Sequence, residues 1–235
     1  MDKDLFENLK KVHRFLAGQS FYPIILSTGL ALTTYFGRIW QSDSWLIYRN
    51  LVWNLFLAWL PYIFSLLTAY LYLRAPRRWW RLAIPATLWL IFFPNAPYLI
   101  TDFLHLTTRP YVPLWYDILM LSIFSWTGIF LAIASLRTMH RLIERYAGVV
   151  LGWLFVVAVI SLGGLGIYLG RFERWNSWDL LIRPRFIVEN VMARFAEPLD
   201  NLRFFGFTLL FTAFLFVCYL MFHSASNPDG LGQEG

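Results

Sequence analysis

The 235-residue chain is 58% hydrophobic and 20% aromatic, only 14% of its residues are charged, and its formal net charge is +6. Soluble domains carry about 25% charged residues, so this composition excludes an ordinary soluble globule and predicts an integral membrane protein. The basic residues stand in short segments between apolar runs, which indicates topology signals facing anionic lipid and excludes nucleic acid as the expected partner.

The first element, residues 1–18, mixes acidic and basic side chains around an apolar stripe formed by Leu5, Leu9, Val12 and Leu16. This spacing predicts an amphipathic helix that lies on the cytoplasmic membrane surface. No small-residue cleavage site follows the first apolar run, so the segment is not interpreted as a signal peptide.

Six apolar runs follow, and each is close to the length of about 20 residues that a helix needs to cross a bilayer. They lie near 20–38, 50–73, 82–105, 115–137, 148–170 and 203–222. The sequence therefore predicts an all-α integral membrane bundle of six transmembrane helices, with short interfacial amphipathic helices at 1–18 and 186–195. Residues 223–235 are expected to form a flexible C-terminal tail, and no soluble domain is expected.

The distribution of Lys and Arg predicts the orientation of the bundle. One side collects eleven of these residues, namely Lys3, Lys10, Lys11, Arg14, Arg74, Arg77, Arg78, Arg81, Arg137, Arg141 and Arg145, with the last three assigned to a loop between spans four and five. On the other side the first two loops hold only three, and the five in the last loop are balanced by acidic residues. Both termini are therefore expected in the cytoplasm, with membrane lipids as surroundings.

The end of span three, FPNAPYLITDFLHL at 93–106, combines helix breakers with polar groups. Pro94 and Pro97 each lack an N–H group, so they interrupt the helix, and Asn95 between them can supply donors to the freed carbonyls. Asn95, Tyr98, Asp102, His105 and Arg109 are spaced 3, 4, 3 and 4 residues apart and would share one helical face. A polar face on a membrane helix is expected to turn toward the bundle or a wet pocket.

Other spans bring polar side chains to the same depth, at the outer end of the predicted bundle. The expected members of this outer pocket are Asn54, Asn95, Tyr98, Asp102, His105, Asp117, Arg171, Arg174, Asn176 and Asp179. Inner halves of the spans are poorer in ionisable groups: His13 and His140 fall in basic segments expected at the surface, and His223 ends span six.

Three strings, PNAPYLITDFLHL, WYD and GRFERWNSWD, resemble the signature of a bacterial family of multi-pass membrane proteins, domain of unknown function 1361. The resemblance covers roughly spans two to six. It implies six helices in the bacterial cytoplasmic membrane, and it implies no activity, cofactor or partner.

The chemistry of the outer pocket stays open at the level of sequence. Asp102 and His105 are either a catalytic pair, with the imidazole as general acid or base, or a structural pair, and together with Asp117 they are a less favoured metal set. Asp117 also stands in the first turn of span four, where a carboxylate stabilises the helix dipole. Arg171 and Arg174 would bind an anionic group, or else belong to an interfacial turn pinned by tryptophans.

Three classes of function fit these residues. The first is an enzyme or binder for a lipid or lipid-linked anionic substrate, and the second is a non-catalytic structural, assembly or binding protein. A transporter is the least favoured class, because no internal repeat and no inner polar track is visible. No nucleotide-binding or serine-hydrolase motif occurs, and the cofactor is unknown. The G-x-x-x-G at Gly166–Gly170 predicts close helix packing, either inside the chain or in a homo-oligomer.

The predicted orientation is testable by cysteine labelling after replacement of Cys218, the only cysteine. A membrane-impermeant maleimide should label Ser177→Cys in intact cells, because its loop is expected outside, and should label Arg77→Cys only after the membrane is opened. The reverse pattern would show that the assignment is inverted.

Overall fold

A computed structural model of the chain describes residues 2–42, 44–74, 80–108 and 111–225. Within these ranges the chain forms ten α-helices and one 3₁₀ helix, and no β-strand. The predicted fold class, an all-α membrane bundle, is therefore confirmed. Arg77 and Arg78 of the predicted inner loop, Arg109 of the predicted polar face and the tail from 226 onward lie outside the described residues.

The α-helices are α1 Asp2–Ala17, α2 Phe21–Ser42, α3 Arg49–Arg74, α4 Trp80–Phe92, α5 Asn95–Tyr98, α6 Leu114–Ala147, α7 Val149–Phe172, α8 Asp179–Ile182, α9 Pro184–Ala196 and α10 Leu202–Ala225, and the 3₁₀ helix covers Leu99–His105. Among the described residues, five segments are long and apolar enough to cross a membrane: Arg49–Arg74, Trp80–His105, Leu114–Ala147, Val149–Phe172 and Leu202–Ala225. The sixth requires Leu9–Ala17 and α2 to be taken together across a bend of 71°.

The bend between α1 and α2 is held by side chains from the centre of the bundle. The hydroxyl of Tyr62 donates to the carbonyl oxygen of Gln19 at 2.8 Å, and the hydroxyl of Thr138 donates to the side-chain oxygen of Gln19 at 2.7 Å. Ser20 completes the turn in the left-handed region, with φ 61°. The apolar side chains of Leu9 and Val12 are exposed, as an amphipathic surface helix requires, and membrane binding by α1 stays a prediction.

The longest helix, α6, corrects the predicted loop between spans four and five. It runs for 34 residues, about 51 Å at 1.5 Å per residue, whereas the hydrocarbon core is about 30 Å thick. The segment from Arg137 to Arg145, expected to be a loop, is helical, and only Gly148 separates α6 from α7. Gly148 has φ 89° and its N–H group donates to the carbonyl oxygen of Glu144 at 2.9 Å. Glycine adopts this conformation without a steric penalty.

The core of the bundle forms where α6 packs against α2, α3, α7 and the 3₁₀ helix. Trp89, Phe93, Leu99 and Phe124 are buried there. Gly128 of α6 permits the close approach of the interrupted third span, because a Cβ atom at this position would overlap the carbonyl oxygen of Ala96. The backbone carbonyl oxygen of Leu99 accepts a hydrogen bond from the hydroxyl of Ser125 of α6 at 3.3 Å.

The glycines of α7 serve close packing inside the chain. A Cβ atom at Gly163 would lie 3.0 Å from the ring of Phe93, one at Gly166 would lie 2.7 Å from Pro94, and one at Gly170 would lie 3.3 Å from the ring of Tyr98. The G-x-x-x-G motif therefore fits α7 against the interrupted third span. Pairing of two chains through the Gly166–Gly170 face stays a prediction.

The third span keeps its course but loses α-helical hydrogen bonding at the two prolines. The α4 helix ends at Phe92, and the N–H group of Ala96 donates to the carbonyl oxygen of Phe93 at 3.2 Å. The side chain of Asn95 donates to the carbonyl oxygen of Phe92 at 3.1 Å, so it supplies the donor that the interruption removes. The change to three residues per turn then places Asp102 and His105, three residues apart, on one face.

A buried ion pair between Arg38 and Asp117 holds α2 against α6. Nε of Arg38 donates to Oδ1 of Asp117 at 2.6 Å and Nη2 donates to Oδ2 at 3.2 Å, with side-chain exposures of 2% and 1%. The guanidinium also lies over the ring of Tyr48, 4.7 Å from its centroid. A buried ion pair is stable only when its geometry and hydrogen bonds are good, and this bidentate pair meets both conditions.

We expect Asp117→Leu to destabilise the protein by about 3 kcal/mol, since it leaves the Arg38 guanidinium buried without a counter-charge. The double variant Arg38→Met/Asp117→Leu should regain most of that loss, because no unpaired charge remains. Urea or thermal unfolding in detergent measures both, and equal instability of single and double variants would contradict the assignment.

Candidate functional site

The guanidinium of Arg171, at the C-terminal end of α7, is the centre of a buried polar network. Its Nη1 lies 3.5 Å from Oδ1 of Asp102 and donates to the hydroxyl of Tyr98 at 3.3 Å. Its Nη2 donates to the carbonyl oxygen of Thr101. The guanidinium also lies over the Tyr98 ring, 5.4 Å from the centroid. One side chain thereby fixes α7 to α5 and to the 3₁₀ helix.

The Asp102 carboxylate ties a third element into this network. It is only 5% exposed, and Oδ2 accepts a hydrogen bond from the side-chain amide of Asn54 on α3 at 3.0 Å. A buried carboxylate is stable when it is paired and hydrogen-bonded, and Asn54 and Arg171 supply both conditions. The network therefore joins α3, the third span and α7 at one level of the bundle.

His105 stands at the exposed edge of the same network. Its Nε2 lies 3.2 Å from Nη1 of Arg171, and because arginine only donates hydrogen bonds, Nε2 is the acceptor in this contact. The described hydrogen bonds include none between Asp102 and His105; Arg171 contacts both. The predicted pair is thus brought together, but through an arginine and not as a carboxylate that orients an imidazole.

The loop after α7 begins with Arg174 in the left-handed region, at φ 58°. The N–H groups of Glu173 and Trp175 both donate to the carbonyl oxygen of Leu169, at 3.1 and 3.3 Å. This conformation costs a residue with a Cβ about 1–2 kcal/mol, and such strain occurs at functional positions more often than elsewhere. Arg174 is exposed, and no ion pair links it to another described residue.

Three contacts hold this loop to its neighbours. Glu173 forms an ion pair with Arg194 of α9, with Oε1 2.6 Å from Nη2. The backbone N–H of Asn176 donates to Oδ2 of Asp179 at 2.7 Å, so Asp179 closes the turn before α8. The side-chain amide of Asn95 donates to Oγ of Ser177 at 2.8 Å, which fastens the loop to the interrupted third span.

A groove of about 630 Å³ opens between these elements. Its polar lining, at the end beside the loop after α7, comprises Asn50, Asn54, Asn95, Tyr98, Arg174, Asn176 and Ser177. Its deeper walls are mainly apolar and reach Leu90 on α4 and Val159 and Leu162 on α7. From Arg174 back to Val159 the chain spans about 20 Å at 1.5 Å per residue. The groove is therefore long, polar at one end and apolar along its depth.

A smaller cavity of about 120 Å³ lies beside the groove. Its polar lining consists of Tyr48, Arg49, Asn50, Asp102 and His105. Asn50 lines both spaces, so the first turns of α3 form the partition between them.

The structure divides the predicted site residues into three groups. Asn54, Tyr98, Asp102, His105 and Arg171 form the buried network, Asn95, Arg174 and Asn176 line the groove, and Asp179 closes the loop.

The remaining predicted residue, Asp117, is paired with Arg38 and lines neither cavity. Among the described residues, no three His, Cys, Asp or Glu side chains are grouped closely enough to hold a metal ion.

Sequence analysis missed a polar cluster where the C-terminal half of α6 packs against α10. His140, expected at the surface, is 1% exposed, and its Nδ1 is hydrogen-bonded to the hydroxyl of Tyr219 at 2.6 Å. The rings of Trp153 and His223 pack against it, with centroids 5.0 and 5.9 Å away. Oε1 of Glu144 lies 3.2 Å from Nε2, out of line for a hydrogen bond. The four-residue spacings of His140 with Glu144 and of Tyr219 with His223 were the available signal.

A family model described as a protein of unknown function (DUF1361) matches residues 53–218, more than half of the chain. No curated protein and no solved structure matched the chain. The matched region includes the whole Arg171 network and most of the groove lining, and it begins after Arg49 and Asn50.

Arg171 and Arg174 form a matched pair for a test of the network. Arg171→Met should cost about 3 kcal/mol of unfolding free energy, since it leaves the Asp102 carboxylate buried without its cation. Arg174→Met removes an exposed charge and should change stability by less than about 0.5 kcal/mol. Detergent melting curves of both variants measure the difference, and similar melting temperatures would show that Arg171 is not the centre of the network.

Proposed function

Because the chain belongs to this family of membrane proteins of unknown function, we propose from the geometry of the groove that it binds a lipid or lipid-linked anionic molecule at the outer face of the membrane. The observation that carries the proposal is the shape and lining of the groove, polar at the outer end and apolar along its depth. Its volume lies within the range of about 300–1,000 Å³ that small-molecule sites occupy.

Lateral access from the bilayer supports a lipid as the occupant. Three groove residues also belong to the exposed surface of the bundle: Trp53, Leu90 and Leu162 are 52%, 37% and 52% exposed. The groove walls are thus continuous with the surface that faces hydrocarbon chains. An acyl or isoprenoid chain can enter sideways without crossing water, and its burial against apolar walls stabilises the complex.

Arg174 supplies the preference for an anionic head group. Unlike Arg171, it has no carboxylate partner among the described residues, and it lines the polar end of the groove. A guanidinium matches phosphate and carboxylate oxygens with two parallel hydrogen bonds. Side chains of Asn95, Asn176 and Ser177 provide neutral donors and acceptors around it.

Binding is favoured over catalysis by the state of the polar groups next to the groove. The Nε2 atom of His105 already accepts from Arg171, and Asp102 is bonded to Asn54 and paired with Arg171. In a catalytic carboxylate–imidazole pair the carboxylate orients the ring that transfers the proton, whereas here Arg171 contacts both groups in place of that hydrogen bond. The alternative, a non-catalytic structural or assembly protein, draws on the same network. Transport stays the weakest reading, because the groove lining excludes the His140 cluster at the inner end.

We also infer from the Lys and Arg distribution that both termini lie inside, and the resemblance to a bacterial family supports a bacterial cytoplasmic membrane as the host. The groove then opens toward the outer leaflet, on the side that the loop after α7 shares with the tryptophans Trp175 and Trp178. Aromatic residues of this kind lie at the lipid headgroup level.

The groove can be tested by filling it. Leu162→Trp places a larger side chain in the apolar wall, and we expect it to lower the amount of lipid that remains bound after purification at least about tenfold. The measurement is native mass spectrometry of protein released from mild detergent, followed by identification of the released lipid.

The matched control is Leu154→Trp, on the same helix, at a position that is 59% exposed and outside the groove lining. It should retain wild-type lipid. Arg174→Gln should reduce anionic species and spare neutral ones, because a guanidinium contributes mainly through charge-assisted bonds. Equal lipid content in all four proteins would dismiss the groove as the binding site.

A further inference from the structure

The groove and the smaller cavity are adjacent, and polar side chains link their linings. Asn50 lines both, and Asn54, which lines the groove, donates its amide hydrogen to Asp102, which lines the smaller cavity. A ligand seated in the groove with its polar end beside Asn50 is therefore next to a second space with its own lining. The lining and the volume of this second space determine which chemical group it accepts.

The lining of the smaller cavity combines donors and acceptors. Arg49 donates only, the Asp102 carboxylate accepts only, and the Asn50 amide does both. An alkyl group there would cover the remaining lone pairs of the buried Asp102 carboxylate without a donor, which is unfavourable. Arg49 would attract a second anionic group, but such a group offers the Asp102 carboxylate no donor. Hydroxyl groups, each of which donates and accepts, match this mixture.

The volume limits the size of the group. A cavity of about 120 Å³ corresponds to about four water molecules at about 30 Å³ each. Two or three neighbouring hydroxyls on a short carbon chain fit this space, and a long or branched head group does not. The Asp102 carboxylate has about four lone-pair sites, and its bonds to Asn54 and Arg171 leave some of them for a ligand hydroxyl.

We propose that the groove takes a phosphodiester lipid whose head group carries neighbouring hydroxyls, with the phosphate at Arg174, the chains along the apolar walls and the hydroxyls in the cavity beside Asn50 and Asp102. This inference rests on the proposed function and specifies its ligand. Asn50 is the specificity residue, because it is the polar side chain shared by the two spaces.

The test compares two lipids that differ only in these hydroxyls. Phosphatidylglycerol and phosphatidylpropanol with identical acyl chains have the same charge and nearly the same size. Wild-type protein in neutral-lipid nanodiscs should bind phosphatidylglycerol about tenfold more tightly, since each satisfied hydroxyl contributes about one hydrogen bond. Asn50→Leu, of similar size, should lower the affinity for phosphatidylglycerol to about that for phosphatidylpropanol, so that the preference is lost.

Asn201→Leu is the matched control, because Asn201 lies outside both cavities and donates to the carbonyl oxygen of Glu197 on the surface; it should keep the tenfold preference. Equal affinity of wild-type protein for the two lipids would overturn this inference and leave the proposed function standing. A preference that survives in Asn50→Leu would likewise overturn it. Absence of binding to either lipid would overturn the proposed function itself.

Discussion

The contact between Arg171 and Asp102 is the interaction on which the packing of α3, the third span and α7 depends. A guanidinium and a carboxylate at the end of membrane spans are unfavourable singly, and each becomes stable here because the other lies 3.5 Å away. Asn54 and Tyr98 complete the hydrogen bonding from α3 and α5. Since these partners come from different spans, the network holds the interrupted third span at a fixed height between α3 and α7.

The interruption at Pro94 and Pro97 gives the groove its outer boundary. In a regular α-helix a backbone N–H group would satisfy the carbonyl oxygen of Phe92. Here the side-chain amide of Asn95 donates to that oxygen and also to Oγ of Ser177. The loop after α7 is thereby drawn over the helix end, and Arg174 stands at the polar end of the groove. The small residues Gly166 and Gly170 allow this approach, because any side chain there would meet Pro94 or Tyr98. Irregular backbone at membrane depth is stable where protein covers it, as it does here.

Polar groups elsewhere in the bundle follow the same rule of pairing between helices. Arg38 and Asp117 join α2 to α6, and His140 and Tyr219 join α6 to α10. Apolar packing discriminates weakly between helix faces in lipid, since the surroundings are as apolar as the interior. Such pairs therefore fix which faces meet. The groove differs from them because Arg174 lacks a carboxylate partner among the described residues, which is why it is the candidate for a ligand.

The sequence by itself determined the fold class and the approximate positions of the long helices. Hydropathy over about 20 residues and the rise of 1.5 Å per residue are local properties, so they can be counted along the chain. The spacing of Tyr98, Asp102 and His105 likewise predicted that they would meet, and they do meet, at Arg171.

Tertiary structure decided the partners. Asp117 pairs with Arg38, 79 residues away, and His140 is buried against Tyr219, also 79 residues away. Pairings between distant helices depend on the rotation and height of each helix, which hydropathy does not specify. The different surroundings of Arg171 and Arg174 were likewise decided by tertiary structure. Only the packed helices show that Arg171 already has a counter-charge, whereas Arg174 lies in an open groove.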